Sequence, residues 1–259
     1  MRMLPSVVLI LAAFLRLGGC AAMETVDSGR SPEPTGLNGY LLIIGGGLDD
    51  DNKPVYERMI ELARASAGRH GRESPLIVIA TAASGNQDSA AKGKVQSIGA
   101  YCPACRVETI MRETPTDRTV ELVDAADAMF FTGGDQKRIT TRYLANDQDT
   151  PESLAMRRLL ERGGVIAGTS AGDAMMSDPM FLTGRSAEAL GIRSTRTQRG
   201  EDDDADDRRP ERERPLGPQI GKGMNFIPWV ITDSHFFERH RFGRLVAALE
   251  VSGKRLGLG

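Results

Sequence analysis

The stretch Gly163-Gly164-Val165-Ile166-Ala167-Gly168-Thr169-Ser170-Ala171-Gly172 constrains this chain more than any other, because a short apolar run leads into Gly-x-Ser-x-Gly and a polar helix start follows. The pattern reads as strand, tight turn, helix. In such a nucleophile elbow the serine hydroxyl stands clear of the backbone, and the flanking glycines let strand and helix nearly touch. Ser170 is the candidate nucleophile. A buried Gly/Ser turn without chemistry fits the five-residue pattern as well, so the rest of the chain decides.

Residues 1–20 read as an export signal. Met1-Arg2-Met3 is basic, and the apolar run from Leu4 to Leu15 is too short for an ordinary membrane-spanning helix. Leu17-Gly18-Gly19-Cys20 resembles a bacterial lipobox, which makes Cys20 the expected lipidated N-terminus. Arg16 departs from that pattern by placing a charge between the apolar run and the cleavage site; a plain secretory signal with an incidental cysteine is the alternative. Residues 21–37 are mostly Pro, Gly, Ser, Thr and acidic, too polar to bury, and are expected to form a flexible tether. The folded part is expected outside the cytoplasm, anchored by lipid to the cell envelope.

Residues 38–259, about 220 in all, suffice for one sizeable α/β domain. The net charge of −2 gives no bulk attraction to nucleic acid or to an anionic membrane, so neither is expected as an electrostatic partner. Of the three cysteines, Cys102 and Cys105 form Cys-Pro-Ala-Cys, either a local disulfide or a redox pair, with the structural disulfide favoured in an exported protein. That pair is too small for a structural zinc site, and neither metal nor cofactor is expected.

From Tyr40 onward apolar runs alternate with segments of helical period, the pattern of a mainly parallel sheet with helices on both faces. Strands are expected at Tyr40 to Ile44, Leu76 to Ala80, Arg106 to Met111, and Asp127 to Phe131. Pro54 opens a helix with Gly68 as its stop, and Thr150 caps another that runs through Arg162. Open parallel sheets gather ligand groups at strand ends, which draws attention to Gly45-Gly46-Gly47 and to Thr132-Gly133-Gly134-Asp135-Gln136. The first could suggest a phosphate loop but matches neither phosphate-binding pattern. Gly133 and Gly134 read either as backbone aimed at a substrate or as a turn needing positive φ.

Trp229-Val230-Ile231-Thr232 reads as a strand running into Asp233-Ser234-His235. Among three histidines, His70 sits in a Gly/Arg loop and His240 in the first turn of the last helix, which leaves His235 as the candidate general base.

The run Phe131 to Gln136, the run Gly164 to Gly172 with Ser177-Asp178-Pro179-Met180, and His235-Phe236 with Arg239, Arg241 and Arg244 together resemble the cyanophycinases; Ala80 to Gly85 fits the same family. The resemblance covers roughly residues 39 to 259. It implies a class I glutamine amidotransferase-like (flavodoxin-like) fold, kinship with dipeptidase E, and a serine peptidase that cuts cyanophycin, a poly-aspartate with arginine on each β-carboxyl, into β-Asp-Arg dipeptides. It assigns Ser170 as nucleophile and His235 as base, and places Gln136, Asp233, Arg239, Arg241 and Arg244 around the substrate. The N–H of Ala171 with that of Gly133 or Gly134 would form the oxyanion hole. The resemblance also suggests a homodimer.

Departures from the family pattern keep other readings open. Ser234 stands where glutamine is usual, Asp173 where alanine is usual, and residues 193–214 form a charged insert expected to be disordered. Leu256-Gly257-Leu258-Gly259 resembles the start of the strand whose next residues carry the family's triad glutamate, so a C-terminally shortened domain with impaired catalysis is expected. A dipeptidase E-like enzyme acting on short aspartyl peptides and a non-catalytic envelope peptide-binding protein are therefore alternatives. An amidotransferase is disfavoured, because those enzymes carry cysteine at the elbow.

Substituting Cys20→Ala is expected to release the protein from membranes without altering the thermal unfolding of the domain. Fractionation of cells making both forms checks this; wild-type protein found wholly in the cytoplasm with Met1 still attached overturns it.

Overall fold

The computed structural model describes residues 38–191, 216–254 and 256–259. The expected export signal, lipobox cysteine and tether at 1–37 and the charged insert at 193–214 lie outside the described residues. The chain begins with β1 (Tyr40–Ile44), α1 (Lys53–Arg69), β2 (Leu76–Ala80), α2 (Gln87–Tyr101), β3 (Arg106–Ile110), α3 (Thr116–Ala125) and β4 (Ala128–Phe131). It continues through α4 (Gln136–Tyr143), a short hairpin of β5 (Leu144–Ala145) and β6 (Gln148–Asp149), then α5 (Pro151–Glu161), β7 (Val165–Thr169) and α6 (Ala171–Ala174). The remaining elements are β8 (Met180–Thr183), α7 (Ser186–Ala189), β9 (Gln219–Gly221), β10 (Val230–Thr232), α8 (Phe242–Ser252) and β11 (Leu256–Leu258).

Five strands form one sheet in the order β1-β7-β4-β2-β3, and every neighbouring pair is parallel. This is the mainly parallel α/β architecture expected from the alternation of apolar runs with helical segments. Successive side chains of a strand point to opposite faces, so each buried strand feeds two cores. Leu42, Ile44, Ile77, Ile79, Phe130, Val165 and Ala167 pack on one face with Val55, Tyr56, Met59 and Ile60 of α1 and Ile98 of α2. Ile43, Val78, Ala80, Met129, Phe131 and Ile166 pack on the other with Leu122 and Val123 of α3 and Met156, Leu159 and Leu160 of α5. Burial on both faces is why these strands read as continuous apolar runs rather than alternating ones.

Helix starts follow local chemistry. Asn86 accepts from the Ser89 N–H at the head of α2, and Thr150 accepts from the Ser153 N–H ahead of Pro151 in α5. Gly68 does not end α1, which runs on to Arg69 with His70 as its C-cap. A glycine near a helix end weakens it by only about 1 kcal/mol, and the chain turns away later, at Gly71 with φ +68°. Cys102 and Cys105 are joined as a disulfide between α2 and β3. Beyond β7, β8 and β9 pair antiparallel, and β10 and β11 form a separate parallel pair.

One buried charge ties the sheet's entry points together. The Asp127 carboxylate, immediately before β4, accepts from the Leu76 N–H at 3.0 Å through Oδ2 and pairs with Arg72 Nη2 at 2.5 Å through Oδ1. Its side chain is wholly buried while that of Arg72 is 38% exposed. Asp127→Ala strands a buried N–H at the start of β2 and removes the arginine's counterion, and is expected to lower stability by about 2–3 kcal/mol in denaturant unfolding. Arg72→Ala leaves the Leu76 bond in place and is expected to cost less; equal losses for the two variants contradict this account.

Candidate active site

The carboxyl ends of β1, β7 and β4 converge on Ser170. Its N–H donates to the Ile44 carbonyl at 3.1 Å, which ties the turn after β7 to the end of β1. Ser170 itself takes φ 54° and ψ −109°, a strained backbone conformation that costs on the order of 1–3 kcal/mol. The glycines on either side make it attainable. A side chain at Gly168 would lie 2.2 Å from the Gly172 carbonyl oxygen, and one at Gly172 would lie 2.6 Å from the Phe131 carbonyl oxygen. Strand β7, helix α6 and the neighbouring β4 thus touch with no room for a side chain at Gly168 or Gly172.

His235 follows β10 and also has a positive φ, 51°. Its N–H donates to the Gly45 carbonyl at 2.5 Å, and its Nε2 lies 2.9 Å from Ser170 Oγ, within hydrogen-bonding distance. The imidazole lies flat against Gly46, where a Cβ would come within 2.5 Å of the ring. The Gly45-Gly46-Gly47 run, which had suggested a phosphate loop, is instead the floor on which the histidine rests. Sequence reading missed that role; the signal was three consecutive glycines closing the first strand. His70 Nδ1 lies 2.9 Å from the Ser66 carbonyl at the end of α1, and His240 is exposed on the surface.

The expected oxyanion groups differ in where they face. Ala171 is the first residue of α6, so its N–H has no acceptor within that helix. A side chain at Gly133 would sit 3.9 Å from Ser170 Oγ, whereas one at Gly134 would press within 2.2 Å of the Ala83 carbonyl. Gly133 therefore faces the serine and Gly134 faces the loop after β2.

The residues expected around the substrate behave differently. Gln136 donates from Nε2 to the carbonyls of Phe181 and Leu182, at 2.7 and 2.9 Å, and so fastens α4 to β8. Asp233, with a fully buried side chain, receives Arg244 Nε at 2.8 Å and Nη2 at 2.5 Å, and Arg241 Nη1 lies 3.5 Å away. Arg241 also donates to the Ser234 carbonyl at 2.7 Å, and Arg244 donates to the Gly184 carbonyl at 2.6 Å and lies over the Phe181 ring. These three groups pair with one another in a buried ionic cluster beside the His235 turn. The cause is geometric: a bidentate guanidinium held by a carboxylate two residues before the histidine spans from α8 back to β10. Arg239 is half-buried, and its N–H closes a turn on the His235 carbonyl at 3.0 Å.

Asp173 stands on α6, buried to 2% exposure. Burial pushes its carboxyl up to about 8, against a hydrogen bond from Thr232 that lowers it, and the nearby Asp233 charge pushes it further up. It is therefore neutral at pH 7, and the negative charge that the sequence places just behind the serine is absent there. Among the described residues no group of three or more His, Cys, Asp or Glu side chains is arranged to hold a metal ion.

No family model matches the chain. Among curated proteins, the cyanophycinase of Trichormus variabilis is 31% identical over 236 residues, covering 89% of this chain and 67% of the relative, and that of a Nostoc species matches to the same extent. The cyanophycinase of Geminocystis herdmanii is 35% identical over 140 residues, or 54% of this chain and 42% of the relative. Among solved structures, a peptidase from an acI-B1 Actinobacterium superposes with a TM-score of 0.53 at 18% identity, over 79% of this chain and 71% of its own, a likeness of fold. With that extent of sequence identity to the first two relatives, the chain belongs to the cyanophycinase family, a family of peptidases.

Proposed function

We propose that this protein is an exported, lipid-anchored serine peptidase that cleaves cyanophycin or related β-aspartyl peptides to β-Asp-Arg dipeptides. The observation that carries the reading is the 2.9 Å contact between Ser170 Oγ and His235 Nε2 on a strained elbow. Ser170 Oγ attacks the scissile carbonyl while His235 Nε2 takes its proton, and the tetrahedral oxyanion is met by the N–H groups of Ala171 and Gly133. Collapse of that intermediate breaks the C–N bond, and the imidazolium returns its proton to the leaving amine. Water then repeats the sequence on the acyl-serine and restores the hydroxyl. Asp233, Arg241 and Arg244 act behind this pair as positioning groups for the turn that carries His235. Export and anchoring rest on the signal and Cys20 alone.

Ser170→Ala is expected to lower kcat on soluble cyanophycin by roughly 10²-fold or more, to the level that binding and the oxyanion donors alone sustain, with little change in thermal stability. A serine-directed phosphonate should label the wild-type chain at Ser170 only. Undiminished hydrolysis by the alanine variant overturns the reading, and cleavage of Asp-X dipeptides in place of the polymer identifies a dipeptidase instead.

Asp173 supplies a pH test. Folded, its carboxyl keeps its proton up to about pH 8, whereas an unfolded aspartate loses it near the ordinary 3.8. Between those values the native state binds the extra proton, so this group's contribution to stability declines as pH rises from about 4 to about 8 and is flat above. Ionisation above pH 8 also sets a negative charge near the developing oxyanion. Asp173→Asn is expected to flatten that decline in stability and to extend activity to higher pH, measured by unfolding and kcat between pH 5 and 10. Identical profiles for both proteins refute it.

A further inference from the structure

Arg112, which follows β3, and Asp135, Lys137, Arg138, Thr141 and Arg142, at the start of and along α4, line a pocket of about 430 Å³. Four basic side chains face one acidic one across it, and with Arg142 paired to the buried Glu152 the wall keeps a net positive charge. Its guanidinium groups are held in place by backbone. Arg112 Nη1 donates to the carbonyls of Ala82 and Ser84, both at 2.7 Å, spanning the loop after β2. Arg138 Nη1 donates to the Ala83 carbonyl at 3.3 Å, and its Nε lies 3.8 Å from Asp135. Arg142 is fixed by the Thr114 carbonyl at 2.6 Å and by Glu152 at 2.8 Å, while its Nε is buried with no hydrogen-bond partner in the structure. A guanidinium offers five N–H donors, so these bonds set the orientation of Arg112 and Arg138 and leave donors of theirs over for a planar acceptor.

Position ties the pocket to the serine. Gly133 faces Ser170, and Asp135, two residues on, lines the pocket. The sheet order runs from β7 through β4 and β2 to β3, whose end carries Arg112. At about 4.8 Å per strand, the pocket spans roughly 10–15 Å from the serine along one edge. An extended polyaspartyl backbone advances about 3.4 Å per residue, so this distance matches the third or fourth unit from the scissile bond. Where arginine is joined through its α-amino group to an aspartyl β-carboxyl, each unit presents a free α-carboxylate, the planar anion that guanidinium forks pair with bidentately. It also presents a guanidinium, for which Asp135 is the countercharge on the same wall.

We propose that this pocket is a remote subsite that binds the carboxylate of a polyaspartyl peptide three to four units from the bond cleaved at Ser170. The inference rests on the peptidase reading given above and extends it from a single bond to a stretch of polymer.

The test is calorimetric titration of the full chain carrying Ser170→Ala, so that nothing is consumed, with β-Asp-Arg oligomers of one to six units and, separately, with inorganic phosphate. Affinity is expected to rise by about tenfold or more between two and four units, a gain of the kind that linked contacts provide. Adding Lys137→Gln and Arg138→Gln should erase that step while thermal unfolding stays cooperative; Thr141→Glu, on the exposed rim, should weaken it as well and serves if the double variant fails to fold. A smooth dependence on length, or a step that survives both changes, overturns the proposal. So does phosphate binding at the pocket as tightly as the four-unit oligomer, which marks an independent anion site. Hydrolysis of cyanophycin by the wild-type chain is scored apart. A pocket-dependent step without hydrolysis fails only the peptidase reading, and hydrolysis without the step fails only the subsite.

Discussion

Everything at the carboxyl edge of this sheet depends on three backbones meeting without side chains between them. Ser170 holds its unfavourable φ because β7, α6 and β4 are in direct contact at Gly168, Gly172 and Phe131, and because its own N–H is claimed by Ile44. Loosening any of these contacts would let the turn relax and swing the hydroxyl back toward the sheet. The cost of the strained residue is on the order of 1–3 kcal/mol, small against the apolar burial of a five-stranded sheet packed on both faces, so the surrounding fold sets the turn.

His235 is held by a different kind of constraint. It sits outside the main sheet, after a strand that among the described residues pairs with β11, and reaches Ser170 by lying across the loop after β1. Its N–H is held by the Gly45 carbonyl, and the turn that carries it is anchored two residues earlier by the Asp233, Arg244 and Arg241 cluster. A buried ion pair is a weak source of net stability, since desolvation offsets much of the attraction. Its bidentate geometry nevertheless fixes direction, and here it fixes α8 against β10 two residues before the histidine. Removing one member would leave a charge buried without its counterion, a larger loss than the pair itself contributes.

Sequence made the strands and the elbow legible because both are local signals. Leu76 to Ala80 and Tyr40 to Ile44 are bounded as observed, since each is a continuous apolar run, flanked by Pro75 and Thr81 in the first case and by Gly39 and Gly45 in the second. Gly68 misled about the end of α1 because propensity at one residue yields to packing. The site was legible in its members but less so in their partners. Nothing in the spacing of Asp233, Arg241 and Arg244 announces that they pair with one another; that pairing is made in the turn between β10 and α8, a tertiary feature. Gly46 was invisible for the same reason, its neighbour being His235, far away in sequence.

The distribution of charge across this edge then follows a single logic. Near Ser170 the ionisable groups are neutralised: Asp173 by holding its proton, Asp233 by its arginines. Because Coulomb energies grow as the effective dielectric falls, a net carboxylate at this depth would oppose an oxyanion by several kcal/mol, whereas backbone N–H dipoles already aimed at it need no reorganisation. Farther along the edge, beside exposed Lys137 and Arg138, the dielectric is higher and cationic charge is tolerated in quantity. Charge that would disturb the reaction at the serine can act at the rim on a substrate instead, where it adds attraction for carboxylates and leaves the field at the reacting bond to the backbone.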